Sequence, residues 1–366
     1  MNPKVTFIVP CYKLAHLLPD CVNSILSQTF TDFEILIMDD CSPDNTPEVA
    51  ATFKDPRVKH IRNEPNLGHL RNYNKGIALS RGQYVWLISA DDYLRRPYVL
   101  QRYVEVMDAH PEAGYIFCPA VKVRNGREIE TLTVQSTKDS IFDGRRFLKK
   151  LIFENSIVSA SGMVRKTCYD TVSVFPLDRP WGGDWYLWCV FALTGKVAYL
   201  AEPMVCYREH DLSMTTKLMK DDVDQCSRED ITMPWTIKHK VEEAGCQYLV
   251  KSCLESAAYE YARRIATKRY KSANSIMTID QFEESLCRST SDEKERNFVR
   301  ARVHANIADF YYWQDEVSVA REFYISAVRK DPWMPTVWLK RLLLISGDAG
   351  SWLRRTRVRL HQWVAN

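Results

Sequence analysis

The chain has 366 residues, room for two or three domains at ~100–200 residues each, and its 46% hydrophobic and 26% charged content is ordinary for a globular protein with an ample core. A net charge of +4 is small for this length and argues against nucleic-acid binding, which takes a strongly basic domain. The 11 cysteines are scattered and form no CxxC pair, so a zinc site is not expected and a reducing cytoplasm fits best.

Val5 to Pro10 is apolar and β-branched and reads as a buried strand. A helical period follows from Leu14 to Gln28, then a second strand from Phe33 to Met38 that ends in Asp39-Asp40. Ser42-Pro43-Asp44-Asn45 reads as a helix start, with the helix running to about Phe53. Val58 to Ile61 is a third strand. Asn66-Leu67-Gly68 turns the chain into a helix from His69 to Leu79, which Ser80-Arg81-Gly82 stops. The apolar run from Tyr84 to Ile88 is a fourth strand, and it too ends in a pair of acids, Asp91-Asp92. Four strand–helix alternations in this stretch predict a parallel sheet covered on both faces. Later segments are a helix at Tyr98–Asp108, a strand at Gly114–Cys118, a hairpin around Asn125-Gly126, a helix at Asp143–Phe153, and strands at Ser159–Val164 and Lys196–Leu200.

After about Lys217 glycine becomes scarce and the segments are long and helix-permissive: Val241–Glu255, Ala257–Tyr270, Phe298–Tyr312, Val317–Arg329 and Met334–Leu344. The boundary is set at 217, giving an α/β region 1–217 and an all-α region 218–366. Ala320, Tyr324, Ala327 and Pro332 have the spacing of the second helix of a tetratricopeptide repeat, with Ile307, Ala308 and Tyr311 where its first helix would pack; an ordinary helical hairpin near 301–334 fits equally. The basic, partly amphipathic stretch Trp352–Trp363 could lie on anionic lipid, and the helical tail could take a protein partner. No apolar run approaches the ~20 residues that span a bilayer, and no secretory-signal pattern opens the sequence. A cytoplasmic protein, at most peripheral at the inner face of a membrane, is expected.

The acids carry the chemistry. In an open parallel sheet, ligands bind beyond the carboxyl ends of the strands. Two acids there can hold a Mg2+ that completes its shell with phosphate oxygens; a plain exposed turn is the structural alternative. The ordered motifs resemble the family 2 glycosyltransferases of GT-A fold. They are Val5-Thr6-Phe7-Ile8-Val9-Pro10-Cys11-Tyr12, Ser24 to Thr29, Phe33 through Asp39-Asp40-Cys41-Ser42, and Asn66-Leu67-Gly68 with Arg71-Asn72. Then come Gly82-Gln83-Tyr84-Val85, Ser89-Ala90-Asp91-Asp92, Gly183-Asp184-Trp185 and Tyr207-Arg208-Glu209-His210. The resemblance covers roughly 4–215, and it implies a Rossmann-like, mostly parallel sheet flanked by helices.

It also implies an inverting transfer of a hexose-type sugar from a nucleoside diphosphate, by preference UDP, to a hydroxyl of a glycan or lipid-linked acceptor. Asp184 is then the general base. Pro10, Tyr12, Asp39, Asp40, Arg71 and Ala90 form the nucleotide site, with Asp39 reading the base. Asp91 and His210 hold Mg2+ or Mn2+, Asp92 sits behind them or touches the donor sugar, and Trp181 and Trp185 face the acceptor, with Gly182-Gly183 leaving room for a sugar. Ser89 stands where the family pattern has an acid. Each residue also has a plain reading: Tyr12 as a packing ring, Arg71 as a surface ion pair, Asp184 as a helix cap, His210 as a loop residue. The rival functions are a non-catalytic sugar-nucleotide binder with a degenerate metal motif, an adaptor built on the helical tail, and a nucleotidyltransferase. The last is disfavoured because Cys11-Tyr12-Lys13-Leu14 has no glycine to grip a triphosphate.

Overall fold

The computed structural model describes residues 2–266 and 277–333. In chain order the elements are β1 (Val5–Cys11), α1 (Leu18–Leu26), β2 (Phe33–Asp39), α2 (Thr46–Ala50), β3 (Val58–Arg62), α3 (His69–Leu79), β4 (Tyr84–Leu87), β5 (Tyr93–Leu94), α4 (Val99–Ala109), β6 (Ala113–Phe117), β7 (Ala120–Arg124) and β8 (Arg127–Leu132). There follow β9 (Ser140–Asp143), α5 (Gly144–Leu151), β10 (Met163–Arg165), α6 (Lys166–Thr171), α7 (Gly183–Thr194), β11 (Lys196–Tyr199), β12 (Val205–Arg208), α8 (Met214–Asp221), α9 (Val223–Glu243), α10 (Val250–Ala266), α11 (Ile279–Ser289), α12 (Glu293–Trp313) and α13 (Val317–Lys330). They fall into two compact units, Met1–Glu229 with Glu243–Gly245, and Asp230–Glu242 with the chain from Cys246 onward.

The first unit is a mixed sheet of eight strands, ordered β3-β2-β1-β4-β10-β6-β11-β9, and a smaller sheet, β5-β12-β7-β8. Every residue of β1 and β2 is buried, which suits their unbroken apolar and β-branched runs to the centre of a sheet covered on both faces. β1 pairs in parallel with β2 from Val5↔Phe33 to Cys11↔Asp39, and with β4 from Val5↔Tyr84. Strands joined in parallel need a crossover, and α1, α2 and α3 supply it. Phe7 stacks on Trp86 at 5.4 Å and Trp86 on Tyr103 at 4.3 Å, so the core runs from β1 through β4 to α4.

β10 enters antiparallel between β4 and β6, so the parallel run of the first four strands is broken there, and beyond it only β6 and β11 pair in parallel. The expected strand at Ser159–Val164 is one tight helical turn, Ser159–Ser161, before β10. The Asn125-Gly126 hairpin forms between β7 and β8, both turn residues having positive φ (52° and 72°), as a two-residue turn of this twist requires. α2 starts at Thr46 rather than Ser42, because Asp39 takes the Ser42 N–H and Asp44 takes the Thr46 N–H and hydroxyl. The small sheet matters most for the site. β5 and β12 pair antiparallel through Cys206↔Tyr93, and this brings the residues just before β5 beside those ending β12.

The second unit is helical, as its texture implied. Its core joins Trp235, Leu254, Tyr261, Phe282, Val299 and Ile307. The single helix expected over Val241–Glu255 is two, broken at Gly245, whose φ of +67° suits a residue just past a helix end. α9 keeps Pro234 within it. α12 and α13 form the expected hairpin, with Ala301, Ala305 and Ala308 against Ala320, Tyr324 and Ala327; small side chains let the helix axes approach. The Tyr324 hydroxyl donates to the Asp309 carboxylate. The helix expected at Met334–Leu344, the end of the one expected at Ala257–Tyr270, and the basic stretch Trp352–Trp363 lie outside the described residues.

Candidate active site

The carboxyl ends of β1 and β2 stand side by side in the register Cys11↔Asp39. Asp39 is fully buried. Its Oδ1 accepts from the Ser42 N–H at 2.8 Å, and its Oδ2 from Arg62 Nη1 at 2.6 Å with His60 Nε2 at 3.3 Å. Burial alone would raise its pKa, but the Ser42, Arg62 and His60 hydrogen bonds outweigh that and hold the carboxyl below the usual range. Asp40 accepts from Asn63 Nδ2 at 2.9 Å, the Leu67 N–H at 2.8 Å and the Gly68 N–H at 2.9 Å. Its carboxylate thus builds the turn that launches α3, and Gly68 permits that turn with φ +79°. Pro10 and Ala90 are buried and joined by the Ala90 N–H to the Pro10 carbonyl at 3.1 Å, while Tyr12 is 39% exposed at the strand end.

α3 packs by Leu70, Asn72, Gly76 and Ile77, and Tyr73 is half-buried beside that face. Arg71 is exposed and off that face. Of the two, Tyr73 rather than the expected Arg71 is the one turned partly inward. Rings of His69 and Phe175 hold Tyr73 at 5.6 and 5.3 Å, and its hydroxyl has the Met214 sulfur as acceptor at 3.8 Å. Its phenol pKa is raised, by burial first and then by the charges of Asp91, Asp184, Asp92 and Asp40.

β4 ends and the chain passes Ser89-Ala90 into Asp91-Asp92, both buried at 8% and 5% exposure. The β5–β12 pairing brings His210 to them. His210 Nε2 lies 2.9 Å from Asp91 Oδ2, and the Arg208 N–H donates to Asp92 Oδ1 at 2.9 Å. Asp91 Oδ1 is buried with no protein partner. An ionised oxygen in that state is costly unless something else meets it. Among the described residues no group of three or more His, Cys, Asp or Glu could cage a metal. One bare carboxylate oxygen with one imidazole nitrogen beside it does fit a Mg2+ or Mn2+ that takes its remaining ligands from water and a diphosphate. Asp92 has its pKa raised well above the ordinary value, by burial and then by the charge of Asp91.

Asp184 lies in the first turn of α7, half-buried. Asn155 Nδ2 donates to both its oxygens at 3.2 Å, and the Trp185 N–H donates to Oδ1 at 2.7 Å. Its pKa is raised to about 6: burial lifts it, the Asn155 and Trp185 bonds oppose this, and the charge of Glu229 adds to the lift. Trp181 is half-buried and can offer part of its ring. Trp185 does not face the acceptor side. It is 5% exposed, and its indole N–H is drawn inward by the Leu151 carbonyl at 2.6 Å. Nor does Gly183 make room for a sugar; a Cβ there would stand 3.2 Å from Phe175, so the glycine serves packing against that ring.

Sequence reading missed Tyr73, Asn155, Glu229, His60 and Arg62. Tyr73 lies beside the buried face of α3, Leu70, Asn72, Gly76 and Ile77, while Arg71 is exposed. The others come from segments remote in the sequence.

Residues 6–167 match the model of glycosyl transferase family 2. This region is a family 2 glycosyltransferase domain. Among curated proteins, an uncharacterized glycosyltransferase of Nostoc is 29% identical over 218 residues, covering 57% of this chain and 65% of that protein. Glycosyltransferase GlyA of Streptococcus pneumoniae is 26% identical over 255 residues, covering 66% and 36%. The succinoglycan biosynthesis protein ExoO of Rhizobium meliloti is 37% identical over 107 residues, covering 29% and 30%. The chain spans 65% and 50% of the lengths of the first two curated relatives it matches. The fold is similar to that of S. aureus TarS 1–349, solved in complex with UDP-GlcNAc, with TM-score 0.60 at 16% identity over 89% of each chain. That likeness extends beyond the glycosyltransferase domain, and it establishes the GT-A type of mixed sheet with flanking helices followed by a helical region. Among the described residues no helix is long and apolar enough to cross a membrane.

Proposed function

We propose that this glycosyltransferase domain transfers a hexose-type sugar from a nucleoside diphosphate, by preference UDP, to a hydroxyl of a glycan or lipid-linked acceptor, with inversion at the anomeric carbon. The observation that carries the reading is a pair of acids within the first unit, Asp91 with an unpartnered buried oxygen beside His210, and Asp184 with a raised pKa, whose charges both bear on Tyr73. A UDP-GlcNAc complex of a protein of the same fold, and a relative named for succinoglycan biosynthesis, lend support to the donor and acceptor classes.

The roles follow from the chemistry. Pro10, Tyr12 and Ala90 border the end of β1 where a nucleotide would lie. Asp39 is the acid for the N–H edge of the base, kept ionised by Arg62 and Ser42. Asp40 shapes the nucleotide side by fixing the Leu67-Gly68 turn. Arg71 is left to meet a phosphate or base only from the exposed face of α3. Asp91 and His210 would hold a Mg2+ or Mn2+, which supplies positive charge opposite the departing diphosphate. Asp92 stands behind them, and the half-buried Trp181 remains for the acceptor. An alcohol attacks well only as its proton leaves. Asp184, with a pKa near 6, is ionised at neutral pH and still basic enough to take that proton. The acceptor oxygen then bonds to the anomeric carbon from one face while the carbon–oxygen bond to the diphosphate breaks on the other. An α-linked donor gives a β-linked product.

The test couples binding to turnover. Thermal melting is followed with UDP and with UDP-sugars, each with and without Mn2+, and UDP release is then measured with acceptor glycans. A ligand that binds the folded state raises the melting temperature by mass action. A metal-enhanced shift with UDP, and a β-linkage in the first-formed product by NMR, are expected. Retained α configuration would reject the single displacement. Donor binding without transfer to any acceptor, in the presence of an intact Asp184, would leave a sugar-nucleotide binder instead.

A further inference from the structure

Glu229, near the start of α9, is 3% exposed and within the first unit. Its carboxylate does not pair along its own helix alone. It accepts from the Gly182 N–H at 2.7 Å and from the Trp181 N–H at 3.1 and 3.2 Å. Gln225 Nε2 steadies Oε1 from the other side at 2.9 Å. Trp181 and Gly182 are the residues that lead into α7, and Asp184 is in the first turn of that helix. A buried carboxylate thus grips the turn from which the proposed base projects.

Resting on the reading of Asp184 as base, we propose that Glu229 is a positioning residue of the transfer reaction, which clamps the Trp181–Gly182 turn and so fixes where Asp184 stands against the acceptor. Two physical effects follow from the clamp. The N–H groups ahead of a helix form its positive end and would favour ionisation of an acid placed there. Glu229 consumes two of them, and its own negative charge opposes that of Asp184. Both effects make Asp184 a stronger base. The groups facing Asp184 are Asn155 from the loop after α5, Tyr73 from α3 and Glu229 from α9. Those facing Glu229 are Gln225 and the charge of Arg179.

The test is the pH dependence of kcat/KM for UDP release by the full chain and three variants. Glu229→Gln keeps the size and removes the charge. Its acid limb should move down by about half a pH unit or more, and its plateau rate should fall roughly threefold as the base weakens, with donor KM unchanged. Glu229→Asp keeps the charge but draws it back by one methylene; its acid limb should stay near wild type while kcat falls. A role in folding alone would move neither limb. Should Glu229→Gln not fold, Gln225→Ala loosens the same carboxylate from outside and should lower kcat with donor KM unchanged. A wild-type acid limb and kcat in Glu229→Gln, or wild-type kcat in Gln225→Ala where Glu229→Gln does not fold, would overturn the proposal. Asp184→Asn separates the two levels: full activity there removes the base itself, whereas an inactive Asp184→Asn beside a wild-type Glu229→Gln removes only the clamp.

Discussion

The acids at the end of β2 and the acids at the end of β4 look alike in the sequence, yet the protein treats them differently. Asp39 and Asp40 have both carboxylate oxygens filled by donors of the protein itself. At the end of β4, Asp91 keeps an oxygen with no partner, and Asp92 is pushed toward its neutral form by burial and by Asp91. Asp184 has donors on both oxygens, yet burial outweighs them and raises its pKa as it does for Asp92. A carboxylate held ionised by the protein's own donors organises the chain around it. A buried one that its surroundings do not hold ionised stores a demand that a ligand or a proton can meet.

The largest effects should fall on Asp184 and Asp91. Asp184→Asn removes the base and should cut transfer by about 10²–10⁴-fold, with UDP still raising the melting temperature as in wild type. The intact enzyme should lose kcat/KM as pH drops through about 6, where Asp184 takes up its proton. Asp91→Asn should lose transfer on a similar scale and also lose the Mn2+-dependent part of the UDP melting shift; a shift that still responds to Mn2+ would move the metal elsewhere. Asp40→Ala reverses the pattern. It strands the Leu67 N–H and takes one of two acceptors from the Gly68 N–H and the Asn63 amide, so urea unfolding should show a loss of about 1–3 kcal/mol. Equal destabilisation by Asp91→Asn would erase the distinction between the two acid pairs.

Much of this was legible before the structure. The strand-then-acid endings, the bounds of α3 and the shift to long helices are local patterns, set by hydrophobic period and by Gly and Pro punctuation. What stayed hidden depends on pairing over distance. Nothing local marks β10 as the antiparallel strand wedged between β4 and β6, or pairs β5 with β12 to bring His210 to Asp91. Trp185 read as an open aromatic face because the sequence does not reveal the Leu151 carbonyl that draws it inward. Glu229 is a single acid on a helix that propensity would break at Pro234, 47 positions from the Gly182 N–H it meets. On α3 the exposed Arg71 stands off the face that buries Leu70, Asn72, Gly76 and Ile77, which an arginine's chemistry alone does not disclose.

The smallest effect sharpens the comparison most, because it reverses the usual sign of a mutation. The folded-state pKa of Asp184 is about 6, above the ~3.9 of an unfolded aspartate. A raised folded pKa means the folded state holds the proton more tightly than the unfolded chain. The stability this confers is complete below the unfolded pKa and is lost as pH rises through about 6. At pH 7 the wild type therefore carries an ionised group that its surroundings disfavour, at roughly 2–3 kcal/mol. Asp184→Asn is neutral at every pH and avoids that penalty, but its new amide meets the Asn155 amide donor and gives back about 1 kcal/mol. The net expectation is a variant that is inactive yet more stable than wild type by roughly 1–2 kcal/mol at pH 7, with the advantage shrinking or reversing at pH 4. Urea unfolding at the two pH values reads this directly. Asp40→Asn, on the satisfied side, should be destabilised at both. If Asp184→Asn is no more stable at pH 7 than at pH 4 relative to wild type, then Asp184 is as well served by its donors as Asp40, and nothing in its surroundings marks it as a base.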